Sequence, residues 1–330
     1  MTLMKKVLVT GGAGYVGHAL VPRLLAEGYS VTVYDMLYFG CRLPNHPSLR
    51  VVQGDIRDTK KLTECLAGQH AVLHLACISN DASVELDEKL SQTVNFDCFE
   101  PMVVAAKKAG VKRFIFASSG SVYGISDAPS VTEDHPLVPV SLYNKFKGMC
   151  EPVLWKHKSD FFTCAVVRPA TICGYSPRTR FDLSVNLLTN QAVKHDKIIV
   201  FGGAQMRPNL HIKDMVDAYV LMLKAPRERV HGETFNLGYQ NLSILDIAAL
   251  VKSEMPLGRD IEIITTPSDD LRSYRLNSDK IARVLDFRPR RGIVDGVRDL
   301  VRAFGNHLLP NSFDDDWYYN VRTMKKIGAK

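Results

Sequence analysis

Short apolar runs alternate with stretches of helical periodicity through the first half of the chain. Lys6 to Thr10, Val31 to Asp35, Arg50 to Gln53, Ala71 to Leu75 and Arg113 to Ala117 are rich in consecutive apolar residues, the pattern of strands buried on both faces. Between them, residues 15–27, 59–67, 91–109 and 141–158 read as helices, and Pro152 is expected to kink or end the last of these. Phe162 to Val167 adds a further strand. Strands and helices in this order predict an α/β fold, a doubly wound parallel sheet with helices on both sides.

After Arg168-Pro169 the alternation weakens, and Pro, Arg and Asn cluster in 168–182 and 205–214. Residues 1–168 are expected to form the first domain and 169–330 mainly a smaller C-terminal α/β lobe, some of whose segments return to the first. Lys197 to Phe201, Glu233 to Leu237, 243–253, Ile261 to Thr265 and 293–304 are the elements assigned to that lobe. Its place is over the C-terminal strand ends, where open sheets bind ligands. The acidic-aromatic stretch Asp314 to Tyr319 is read as a docked arm.

The composition, 46% hydrophobic and 23% charged over 330 residues, is that of a globular protein. A net charge of +7 raises the question of nucleic acid, but the basic residues are scattered, so none is expected as a partner. Seven cysteines form no CxxC pair, which favours a reducing, cytoplasmic setting. No apolar run is long enough to cross a membrane, so none is expected as a partner either.

Thr10 to Gly17, TGGAGYVG, follows the first strand and opens the first helix. Glycines there let the backbone turn and approach a pyrophosphate, which the helix N-terminus attracts. Gly11, Gly14, Tyr15, Val16 and Gly17 are therefore candidate cofactor-binding residues. The second strand ends in Asp35, whose carboxylate suits an adenosine ribose and repels a 2′-phosphate. NAD is the expected cofactor; no metal site is expected.

The fifth strand runs into Ser118-Ser119-Gly120-Ser121-Val122-Tyr123-Gly124, and Tyr143 and Lys147 follow, four apart on one helix. Oxidising an alcohol requires a base for the hydroxyl proton, and a phenol of pKa about 10 needs a nearby cation to serve at neutral pH. Lys147 and the positive nicotinamide ring are the expected cations. Ser119 is placed to hydrogen-bond the substrate oxygen. Ser119, Tyr143 and Lys147 are thus the catalytic candidates, and Tyr123 is read as structural.

With these motifs in place, the chain resembles the extended short-chain dehydrogenase/reductases of the NAD-dependent nucleotide-sugar epimerase/dehydratase family. Further pieces of the likeness are Gly54-Asp55-Ile56-Arg57, His74-Leu75-Ala76-Cys77, Asn95, Arg168-Pro169, Arg207-Pro208 with His211 and Asp214, and Asp270 to Tyr274. The resemblance implies a Rossmann-type sheet. It also implies adenine contacts from Asp55 and Ile56, and further cofactor contacts from Leu75, Ala76, Cys77, Asn95 and Lys147. Ser119, Ser121, Arg207, Arg272 and Arg275 would bind a nucleotide-diphosphate sugar, with Lys213 and Arg178 as further candidates. A homodimer paired through helices 91–109 and 141–158 is implied as well.

Departures from the family narrow the reaction. Its 4,6-dehydratases carry Asp and Glu after the catalytic hydroxyl, where this chain has Gly120 and Ser121. Its dual epimerase-reductases carry Cys at the Ser121 position and use NADPH, which Asp35 opposes. Cys173 and Thr171 stand where the family often has an aromatic residue and an asparagine, and packing is the expected role of Cys173. The remaining expectation is a nucleotide-sugar epimerase working at position 4 through a transient 4-keto sugar. The alternatives are a one-way dehydrogenase or 4-keto sugar reductase, and a non-catalytic NAD-binding member of the fold.

Overall fold

The computed structural model describes residues 5–268 and 273–328. Its strands are β1 (Lys6–Thr10), β2 (Ser30–Asp35), β3 (Leu49–Gln53), β4 (Ala71–His74), β5 (Arg113–Ala117), β6 (Thr163–Pro169), β7 (Thr171–Cys173), β8 (Lys197–Phe201), β9 (Met206–His211), β10 (Glu233–Leu237), β11 (Gln240–Ser243) and β12 (Glu262–Thr266). Seven of them form one parallel sheet in the order β10-β6-β5-β4-β1-β2-β3. The order reverses between β1 and β4, which opens a crevice at the C-terminal strand ends.

Both faces of the sheet are covered. Helices Tyr15–Ala26 and Ile212–Lys224 pack on one side through Leu20, Leu24, Met215 and Tyr219. Helices Thr59–Leu66, Phe99–Lys108 and Leu142–His157 pack on the other through Leu62, Phe99, Met102 and Leu154. Each large apolar side chain so buried contributes roughly 1.5–3 kcal/mol, which outweighs local conflicts in the sequence. Helix Leu142–His157 accordingly continues through Pro152 rather than ending there.

The stretch read as one helix at 91–109 is divided instead: Glu88–Gln92, a π-helical turn at Thr93–Asp97, then Phe99–Lys108. Asn95 sits in that turn, and its carboxamide is committed to the backbone of Ile78, accepting from the amide at 2.8 Å and donating to the carbonyl at 2.9 Å. Wide turns of this kind recur at functional sites.

The smaller lobe consists of a β11-β9-β7 sheet, a β12-β8 pair and helices Ser184–His195, Ile244–Ser253 and Ile293–Gly305. Glu233 to Leu237 does not belong to it. As β10 it forms the outer edge of the large sheet, in parallel register with β6, and Phe235, Asn236 and Leu237 are buried there. The stretch 205–214 is regular too, as β9 and the start of the next helix. Downstream, Asp316–Tyr318 forms a short helical turn whose Tyr318 packs on Phe181, and helix Asn320–Ile327 follows.

Candidate active site

A cavity of about 630 Å³ occupies the crevice, within the roughly 300–1,000 Å³ of small-molecule sites. Its floor is the TGGAGYVG turn. Gly11 has φ +72°, and a Cβ on it would stand 2.5 Å from the Ala76 nitrogen. A Cβ on Gly17 would meet the Gly12 carbonyl oxygen at 2.2 Å. Only glycine lets the turn close against the loop after β4 and the helix start approach the turn. Gly11, Gly14, Tyr15, Val16 and Gly17 all line the cavity.

Asp35 lies at one end. Its carboxylate accepts from the amides of Ala13 at 3.0 Å and Leu37 at 2.8 Å, which fixes its direction, while burial raises its pKa. Asp55 and Ile56 line the same end. Burial raises the Asp55 pKa, but hydrogen bonds from Arg57 outweigh it and hold the carboxyl below its ordinary value. Leu75, Ala76 and Cys77 form the adjoining wall.

At the opposite end, strand β5 and helix Leu142–His157 bring Ser119, Ser121, Tyr143 and Lys147 into the cavity lining. The Ser119 and Ser121 hydroxyls are 2.7 Å apart, and Ser121 also reaches Asn144. Ser141 caps the helix that carries Tyr143, its hydroxyl accepting from the Asn144 amide at 3.3 Å.

Lys147 lies one helical turn after Tyr143 and lines the same cavity. Its ammonium donates to the Ala117 carbonyl at 2.7 Å and lies 5.0 Å from the Phe116 ring centroid. Burial holds the Tyr143 phenol well above the ordinary tyrosine value, Cys77 and Asp81 add to that, and Arg180 and Ser119 pull against it. Arg180 is thus a protein cation that favours the phenolate, and it stands in no helical or strand pattern that would announce it.

Arg180 belongs to a polar wall that sequence reasoning missed. Its guanidinium pairs with Asp182 at 2.8 and 3.0 Å and donates to the Ser79 hydroxyl at 3.2 Å. Asn80 donates to the other side of Asp182 at 2.9 Å, and Asn320, from the C-terminal helix, donates to Ser79 at 2.8 Å. These residues come from two distant loops and the C-terminal helix, so no spacing in the sequence relates them.

Several expected contacts fall elsewhere. Asn95 stands behind the loop at 75–79 and does not line the cavity, because both halves of its carboxamide are used by Ile78. Arg275 is also outside the lining, half-buried between the buried Tyr274 and Leu276. Lys213 is at the surface, paired with Asp299 at 2.7 Å. Arg207 and Arg178 do line the cavity. Arg272 lies outside the described residues.

Two further readings hold. Cys173 is buried against Gly296, with its thiol pushed up to about 12 by desolvation. Tyr123 is buried, donating to Asn236 at 2.7 Å and accepting from Arg168 at 2.6 Å.

The NAD dependent epimerase/dehydratase family matches residues 7–238. This chain belongs to that family. It is 33% identical to a UDP-glucose 4-epimerase of Lactobacillus helveticus, over 88% of this chain and 94% of that protein. It is also 30% identical to a dTDP-glucose 4,6-dehydratase of an Actinoplanes species, over 90% of this chain and 96% of that one. Among solved structures it is similar to MoeE5 in complex with UDP-glucose and NAD, with a TM-score of 0.81, 26% identity, and coverage of 92% of this chain and 99% of that one.

The family member is an NAD-dependent enzyme. Its residues fit that cofactor. The glycine turn closes tightly because Gly11 and Gly17 carry no Cβ to meet the backbone behind it, and Asp35 is held with its carboxylate in the cavity wall.

Proposed function

We propose that this family member is a nucleotide-sugar 4-epimerase that keeps its NAD bound through each cycle. The observation that carries the reading is the pair Gly120-Ser121 beside Ser119. A 4,6-dehydration needs an acid and a base there to expel one hydroxyl and remove a neighbouring proton. Neither residue offers a carboxyl, and a Cβ on Gly120 would already stand 3.0 Å from the Pro169 carbonyl oxygen.

What the side chains supply is proton management at one hydroxyl. Tyr143 takes the proton of the sugar's 4-hydroxyl, and Ser119 hydrogen-bonds the same oxygen as it becomes a carbonyl. Bound NAD supplies the two-electron chemistry in both directions. Arg207 in the smaller lobe, with Arg272, grips the pyrophosphate of the substrate, so the sugar end is free to turn over. Once the turned ketone presents its opposite face for reduction, Tyr143 returns its proton to that same oxygen, and the position-4 stereoisomer leaves.

Proton NMR of the purified protein with UDP-, GDP-, CDP- and dTDP-sugars tests this. One substrate is expected to give its 4-epimer without net cofactor reduction. A 4-keto-6-deoxy product, or stoichiometric reduction of added NAD, would overturn the proposal. A homodimer through helices Phe99–Lys108 and Leu142–His157 and a cytoplasmic location, which the free cysteines suit, complete the reading. Sedimentation equilibrium checks the dimer.

A further inference from the structure

Two arginines stand close together in the cavity wall, and their surroundings differ. Arg180 has the Asp182 carboxylate. Arg178, only 1% exposed, has none within ion-pair distance among the described residues. One guanidinium nitrogen donates to the Asn320 carboxamide oxygen at 2.5 Å, the group lies 3.9 Å over the Phe39 ring centroid, and Nε is buried without a partner. A desolvated cation in this state is costly unless an anion meets it. Burial and the like charge of Arg180 both disfavour its charged form.

The position of Arg178 in the fold says which anion that is. The segment carrying it is tied across the start of helix Tyr15–Ala26. The Tyr15 hydroxyl donates to the Gly174 carbonyl at 2.6 Å, and the Ser176 hydroxyl donates to the Tyr15 carbonyl at 2.8 Å. Arg178 lines the same cavity as Gly11, Gly14 and Gly17, within electrostatic reach of Asp35 and Tyr15. A helix N-terminus and a buried guanidinium converge on one space, and both favour negative charge. Arg207 lies in the other lobe, beside Phe201 and Gln205.

We propose that Arg178 is the counter-ion of the cofactor's pyrophosphate, held in place by Asn320 of the C-terminal helix. This moves it from the substrate grip, where its sequence position had put it, to the cofactor grip. The C-terminal segment becomes part of the NAD site through that one carboxamide.

Calorimetric titration of cofactor-free protein with NAD, ADP-ribose, adenosine and, separately, UDP, in the absence of any sugar nucleotide, tests the proposal independently of the epimerase reading. Arg178→Met is expected to weaken NAD and ADP-ribose by about 10- to 100-fold, leave adenosine within about twofold, and leave the melting temperature of the cofactor-free protein unchanged or higher. Equal weakening of all three ligands would mean a structural role and overturn it. So would unchanged NAD affinity with weakened UDP binding, which would return Arg178 to the substrate. Should the Met variant not fold, Arg178→Lys carries the same comparison: a selective loss for NAD over adenosine supports the proposal, and unchanged selectivity overturns it.

Discussion

Arg180 and Asp182 face each other inside the cavity wall, with Nε 2.8 Å from Oδ1 and Nη2 3.0 Å from Oδ2. Arg180 is a protein cation whose field favours the Tyr143 phenolate, tempered by its own carboxylate partner.

Opposite changes to that pair are expected to move catalysis in opposite directions. Arg180→Met removes the cation, raises the phenol pKa further, and shifts the acid limb of kcat to higher pH. Asp182→Asn leaves the cation less neutralised and shifts the limb to lower pH. Profiles of kcat against pH check this, and shifts in the same direction for both variants would exclude the assignment.

Tyr143→Phe is expected to lose turnover by about 100- to 10,000-fold while retaining NAD. Measuring bound NAD in the denatured protein alongside NMR turnover separates the two effects. A fully active variant removes Tyr143 as the proton acceptor.

Gly17→Ala introduces a methyl group into backbone, 2.2 Å from the Gly12 oxygen and 2.4 Å from its carbonyl carbon. Neither atom can give way without opening the turn. A loss of about 1–3 kcal/mol from overpacking is expected by urea unfolding, together with loss of bound NAD.

Glu151, buried in helix Leu142–His157, pairs with Arg168 of β6 at 2.6 and 3.0 Å and accepts from the Ser118 hydroxyl at 2.6 Å. Glu151→Leu leaves the arginine buried and uncompensated, and is expected to cost about 3–5 kcal/mol in chemical denaturation. The double variant Glu151→Leu, Arg168→Met is expected to recover part of that loss.

Much of the sheet was legible because its signals are local. Buried parallel strands must be apolar at successive positions, so β1, β2, β4 and β5 stand out, and a phosphate cradle needs glycine at fixed spacing after a strand. Asp35, Ser119 and Tyr143 sit at the ends of such elements and were readable for the same reason. Asn95 and Arg275 carried the right residue type, but which way a side chain turns depends on neighbours far away in the chain. Local helix signals also gave way to packing at Pro152 and at the π-helical turn.

The amino-acid order by itself determined the alternation of strands and helices, the glycine turn and the spacing of serine, tyrosine and lysine, all set by backbone geometry over a few residues. Only the tertiary structure decided that β10 closes the large sheet and that Arg180, distant in the chain, comes within electrostatic reach of Tyr143. It also left Arg178 buried with no carboxylate in ion-pair distance among the described residues. Charge and desolvation act through space, between loops whose meeting is fixed by the packing of the whole chain.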